Sequence, residues 1–137
     1  MSTLIIYYSY SGNTKRVAES LAAQLGGELA PLRDAKRPGI LKAYSVGCFN
    51  AMQGKAWAAR PLEEDLASYD RLILLSAVWA GNVPPAVNTL WAQLPAGTAL
   101  EVKLVSAGGE SKCRERLEAM LKANGCTLQS LEDIRAK

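Results

Sequence analysis

What most constrains this chain is an alternation, repeated along its length, between short apolar runs and segments with helical spacing. Leu4-Ile5-Ile6-Tyr7-Tyr8 offers no charged residue on either face, so as a strand it must be covered on both sides. Lys15–Leu25 then spaces Val17, Leu21 and Leu25 as a helix and stops at Gly26-Gly27. Glu28–Leu32 predicts a second strand. After a Pro38-Gly39 turn, Ile40–Met52 has apolar residues at 40, 41, 44, 48, 49 and 52 and predicts a helix weakened at Gly47. Leu72–Leu75 is another two-sided strand, and Pro84-Pro85 opens a third helix over Ala86–Leu94. Leu100–Val105 is the fourth strand, Arg114–Ala123 the fourth helix, closed by Asn124-Gly125, and Leu128–Leu131 a weak final strand.

Strands separated by helices connect by right-handed crossovers, which gives an α/β fold with a mostly parallel sheet. A length of 137 residues suits one domain, 1–137, around one core. In such sheets ligands bind beyond the carboxyl ends of the strands, where strand order reverses. The loops after the first, third and fourth strands are therefore where chemistry is expected.

Composition narrows that chemistry. The chain has no histidine, which removes Ser-His-Asp and Cys-His catalysis and His-ligated metals. A net charge of +3 is too small and too scattered to imply nucleic acid. The start, Met1-Ser2-Thr3, carries no positive charge ahead of its short apolar run, and no run nears the roughly 20 residues of a membrane span. Cys48, Cys113 and Cys126 are far apart, odd in number and without a CxxC, which argues against disulfides and metal knuckles. The expectation is a cytoplasmic protein that binds no membrane. Lys112, Arg114 and Arg116 around Cys113 could favour a thiolate, but a bystander at a helix start is the preferred reading.

The first loop, Ser9-Tyr10-Ser11-Gly12-Asn13-Thr14, packs three small hydroxyls, a glycine and an amide ahead of a helix. A phosphate wants oriented donors, the positive end of a helix dipole and a close backbone approach at Gly12. A plain N-cap and turn would need only one such hydroxyl. The pattern is neither GxxxxGK[ST] nor GxGxxG, which disfavours kinase or NTPase chemistry. In the second loop, Ser76–Pro85, Trp79 beside small residues can offer a flat face to a planar ligand; taken alone, ordinary packing accounts for it better. In the third, Ser106-Ala107-Gly108-Gly109 allows close approach, as any plain turn would. Their coincidence on one rim is what carries weight.

At these residues the chain resembles the flavodoxin-type FMN proteins, whose phosphate loop has the form [ST]-x-[ST]-G-[NT]-T. Ser9–Thr14 matches it at every fixed position, Ser76–Gly81 with Pro84-Pro85 is similar to the family's second loop, and Ser106–Gly109 to its third. The resemblance implies a doubly wound five-stranded parallel sheet of order 2-1-3-4-5 with FMN at the switch point; flavodoxin is itself the standard instance of that rule. It implies that Ser9, Ser11 and Thr14 hold the phosphate through hydroxyls, with N–H groups from Tyr10, Ser11, Gly12, Asn13 and Thr14. Ala77, Val78, Trp79, Ala80 and Gly81 would line the isoalloxazine, with Trp79 stacking. Ser106, Ala107, Gly108 and Gly109 would hold the pyrimidine side.

The chain departs from the family in four ways. Ala77 stands where the second loop often has proline. The third loop lacks a stacking aromatic, and the chain is basic. It also ends soon after the fifth strand, leaving no room for the family's fifth helix. The fourth strand, Leu100-Glu101-Val102-Lys103-Leu104, alternates apolar and polar, as an uncovered face would. We expect that face to be partly exposed or to form a homodimer contact, the apolar third strand favouring the second subunit. The implied function is an FMN-binding redox protein, either an electron carrier or a small reductase fed by a nicotinamide or quinone, working with a redox partner protein or small molecule. An open flavin face favours the reductase. The competing reading is a non-redox interaction module of the same fold that binds no FMN. A phosphate-ester enzyme with Ser9 or Ser11 as nucleophile lacks an activating base.

Overall fold

The computed structural model describes residues 2–37 and 39–136, so the Pro38 half of the expected turn lies outside the described residues. Strands β1 (Thr3–Tyr8), β2 (Glu28–Pro31), β3 (Arg71–Ala77), β4 (Ala99–Ser106) and β5 (Thr127–Arg135) form one sheet. All pair in parallel, in the order β2-β1-β3-β4-β5. Helices α1 (Asn13–Leu25) and α4 (Arg114–Ala123) pack on opposite faces.

Strand alternation decides what each face buries. Leu4, Ile6 and Leu74 point into the larger core with Leu90, Leu117 and Leu121. Ile5, Tyr7, Ile73, Leu75 and Val105 point the other way, against Ala18 and Ala22 of α1. The alanines let the helix lie close on the sheet. Ile73 and Leu75 are fully buried by this packing. The apolar third strand is thus covered within the chain and supplies no reason for a second subunit.

Beyond α1 that face turns polar. Arg71 donates to both Glu101 oxygens at 2.5 and 2.7 Å, and Lys103 meets Glu132 at 2.7 Å. An open groove of about 540 Å³ runs beside the Lys103–Glu132 pair, between Val17 and Leu21 of α1 and Ile134 of β5. No helix follows β5 among the described residues.

Three elements differ from the sequence expectation. The segment Pro85–Gln93 is a 3-10 helix rather than an α-helix. The Thr89 hydroxyl donates to the Ala86 carbonyl and the Trp91 indole to Asn88 Oδ1, each pair three residues apart, which suits three residues per turn. Residues 40–52 are helical but not uniformly so: α2 (Ile40–Lys42), a π-helical segment (Ala43–Gly47) and α3 (Cys48–Met52) follow one another. Lastly, β5 runs past the expected Leu128–Leu131 at both ends, and a bulge at Leu100/Glu101 shifts its register. The extra residue puts Leu128 and Leu131, three apart, on the same face, which hides the period of two from a sequence reading.

Candidate functional site

The loop from β1 to α1 is only four residues long, Ser9–Gly12. Gly12 occupies the N-cap with φ 102°, a conformation open to glycine. A Cβ there would meet nothing nearer than the Arg16 guanidinium at 3.9 Å, so the space above the turn is clear. The Ser9 hydroxyl accepts from the Gly12 N–H at 3.0 Å, stiffening the turn from inside. No side chain caps α1. Among the described residues no acceptor takes the N–H groups of Ser11, Asn13, Thr14 or Lys15. Ser11 is exposed, whereas Thr14 is buried under the loop.

Electrostatics at this helix end are unusual. The first turn of α1 holds no acidic residue, while Lys15 and Arg16 stand near the positive end of its dipole. Cations there cost energy unless an anion joins them. Arg16 is held against the Asn13 side chain by a hydrogen bond to Oδ1.

In the second loop, Trp79 and Asn82 exchange backbone hydrogen bonds at 2.7 and 3.0 Å around a two-residue turn. Both central residues have positive φ, 52° at Ala80 and 80° at Gly81, as the mirrored turn types require. Trp79 stands among three rings: Tyr8 at 6.0 Å, Tyr10 at 5.8 Å and Trp57 at 6.0 Å, all edge to face. A Cβ on Gly47 would lie 2.6 Å from its Cζ3. Trp79 therefore packs within the chain as well as lying at the rim. Ala77 and Val78, ahead of it, are half-buried.

The third loop is braced like the first, with the Ser106 hydroxyl accepting from the Gly109 N–H at 3.0 Å. Gly109 has φ 70°, and Ala107 and Gly108 are exposed. The Lys112 N–H donates to the Gly81 carbonyl at 2.7 Å, tying this region to the second loop. The first and second loops meet directly, through Tyr10 and Trp79. All three sit at carboxyl ends of parallel strands.

Sequence reasoning missed the residues that hold this rim together. Asp34 accepts from the Tyr8 hydroxyl at 2.6 Å and the Trp57 indole at 2.7 Å. Burial first, then the bond to Asp34, pushes the Tyr8 phenol far above its ordinary pKa. Arg37 donates to the Tyr10 carbonyl at 3.0 Å and lies 4.3 Å over its ring. Arg116 donates to the carbonyls of Ala51 and Met52 and to Asn82 Oδ1, all within 3.1 Å. The lone acid in a basic run, Asp34, is the one signal that was there to find. Cys113 is buried just ahead of α4, and burial raises its thiol pKa. The basic neighbours yield no thiolate.

No protein-family model matches the sequence, and no curated protein does. Solved structures do. A flavoprotein in complex with FMN from Lactobacillus acidophilus NCFM superposes with a TM-score of 0.78 at 24% identity, over 95% of this chain and 91% of that one. A Bacteroides eggerthii protein, provisionally called a flavoprotein, gives 0.79 at 21% identity, over 96% and 86%. Oxidised flavodoxin 2 from Bacillus cereus gives 0.59 at 19% identity, over 99% and 85%. The chain has the flavodoxin-like fold. In a flavodoxin-like sheet the crevice opens where connections from neighbouring strands leave on opposite faces. Here β1 leads to α1 on one face, and β3 leads to the 3-10 segment on the other. The rim loops flank that crevice.

Proposed function

We propose that this chain is an FMN-dependent redox protein that holds the phosphate on Ser9–Thr14 and the isoalloxazine beside Trp79. The observation that carries the reading is the uncapped start of α1, where among the described residues the N–H groups of Asn13, Thr14 and Lys15 meet no acceptor beside a hydroxyl-rich turn. A helix end built for stability alone would take one of those hydroxyls as its cap. The likeness to a flavoprotein crystallised with FMN supports the reading further.

The residues fit the group. Ser9 already accepts a bond from Gly12, which leaves its own proton to donate outward. Ser11, Thr14 and the N–H groups of Tyr10, Ser11, Asn13 and Thr14 would complete the phosphate seat, with the Gly12 N–H engaged by Ser9 and Arg16 adding charge. Ala77–Gly81 would line the ring and Ser106–Gly109 would supply backbone donors to its polar edge. When bound, FMN supplies the electron-transfer chemistry; the chain positions it and sets its electrostatics.

Cations at the rim stabilise an anionic reduced flavin, which the acidic surroundings of a plain carrier would disfavour. The Arg37 guanidinium, on the Tyr10 carbonyl and ring, fills that role here, and we take a small reductase, fed by a nicotinamide or a quinone, as the finer reading. All three loops come from one chain, so the site needs no second copy. Free cysteines suit a reducing cytoplasm.

The test is titration of FMN into the apoprotein, followed by tryptophan quenching. Tight uptake is expected, with riboflavin, which lacks the phosphate, much weaker. Ser11→Ala with Thr14→Ala should cost roughly 1–3 kcal/mol per lost donor. A folded chain that ignores FMN would sink the assignment. Steady oxidation of NAD(P)H by the loaded protein separates reductase from carrier.

A further inference from the structure

The helical stretch Ile40–Met52 is built inside out. Its inward line is small: Ala43, Gly47 and Ala51 are buried, four residues apart. The large apolar side chains face water. Ile40 is 65% exposed, Leu41 86%, Tyr44 78%, Val46 47%, and Phe49 and Met52 56% each. Folding a surface helix places its large apolar residues inward. The inversion leaves a concentrated apolar surface that packing within the chain does not explain.

The chain around this stretch is basic. Arg33, Lys36, Arg37, Lys42, Lys55 and Arg60 lie before, within and after it, all exposed, against a single acid, Asp34; Arg37 lies over the Tyr10 ring and Lys42 over that of Trp57. The balance is +5 between residues 33 and 60 in a chain whose net charge is +3. Both Asp34 oxygens are already engaged by Tyr8 and Trp57. The occupant must therefore be apolar within and anionic around.

We propose that Ile40–Met52 docks the protein on an anionic lipid surface. Thirteen residues span about 20 Å as a helix, far short of a bilayer. No described helix is long and apolar enough to cross a membrane. Such a helix lies in the interface, its apolar side chains at the headgroup–acyl boundary and its cations on lipid phosphates. The sequence reading excluded a membrane for want of a spanning segment, and a surface-lying helix needs none. A second copy is disfavoured as occupant, because a two-fold contact would set two such cationic rims against each other. A folded acidic protein would need a separate pocket for each protruding side chain. Lipid accepts them without matched shape.

The test is co-sedimentation of the full chain with vesicles. Vesicles of equal parts phosphatidylcholine and phosphatidylglycerol should bind it and pure phosphatidylcholine should not, with binding falling about tenfold at high salt. Leu41→Ser with Phe49→Ser should lower partitioning about tenfold or more, while circular dichroism and melting stay as in the parent because both positions are exposed. The proposal is overturned if the folded chain ignores anionic vesicles or if that double variant binds them as well as the parent. It is also overturned if soluble polyglutamate, and not vesicles, competes for the patch, since an acidic protein would then be the occupant.

Discussion

At the scale of single residues, the rim is held by conformations and pairings that a composition cannot announce. Ala80 adopts φ 52° between Trp79 and Gly81, the one non-glycine with positive φ among the described residues. A left-handed alanine costs about 1–2 kcal/mol, and it persists because the Trp79–Asn82 bonds close the turn around it. Ala80→Gly relieves that strain at an entropic cost of about 0.4–1 kcal/mol. We expect a gain near 0.5–1 kcal/mol in urea unfolding, with the fold unchanged; a loss of stability would mean the alanine methyl packs usefully. The phosphate-loop residues were legible because small hydroxyls and glycine crowd into six positions ahead of a helix. The partners of Asp34 and Arg116 were not, since they lie 23 to 65 residues away in the chain.

At the scale of elements, the apolar runs of β1 and β3 were readable because strands buried on both faces leave no polar residue to mask them. The helical character of 40–52 was readable too. Gly47, expected there as a weak point, is helical and buried, and the π-helical segment was not legible. That widening shows itself only through the tryptophan it accommodates, with Trp79 and Trp57 pressed against Gly47. Gly47→Ala gains helix propensity of about 1 kcal/mol. Against that, its methyl would land 2.6 Å from Trp79 Cζ3, and overpacking of that kind costs about 1–3 kcal/mol. A net loss is expected, together with altered tryptophan emission. Unchanged emission would mean the helix simply moves away. The 3-10 segment escaped because paired prolines are an equally good start for an α-helix, and a period of three differs little from 3.6 over nine residues.

At the scale of the whole molecule, alternation gave a mostly parallel α/β sheet and the flavodoxin resemblance its strand order, while the balance of the sheet's α1 face was not legible. Alternation in β4 pointed to a partly exposed face or a homodimer contact; it could not show that Arg71 and Glu132 pair its Glu101 and Lys103 within the chain. The Arg71 guanidinium, bonded to both oxygens of Glu101, holds that carboxyl below its usual range, with burial opposing. An unfolded glutamate titrates near about 4.3. The native chain therefore binds fewer protons as acid is added, so the stabilisation is complete above that value and is lost as pH falls through the depressed native one. Arg71 is about a third exposed, which screens the pair to roughly 1 kcal/mol. Glu101→Gln should lower stability by about that much at neutral pH, with the two proteins converging in acid; a gap that persists there would assign the loss to packing.

The sheet's two margins bear on how this protein behaves in a crowd. β2 is four residues long and finishes on Pro31, which has no N–H to offer a newcomer. β5 is kinked by its extra residue and studded with Glu132, Asp133 and Arg135. Neither border presents the long, flat, greasy ribbon on which foreign strands template. Concentrated solutions should accordingly stay free of fibrils, whatever the helices on the flanks choose to touch.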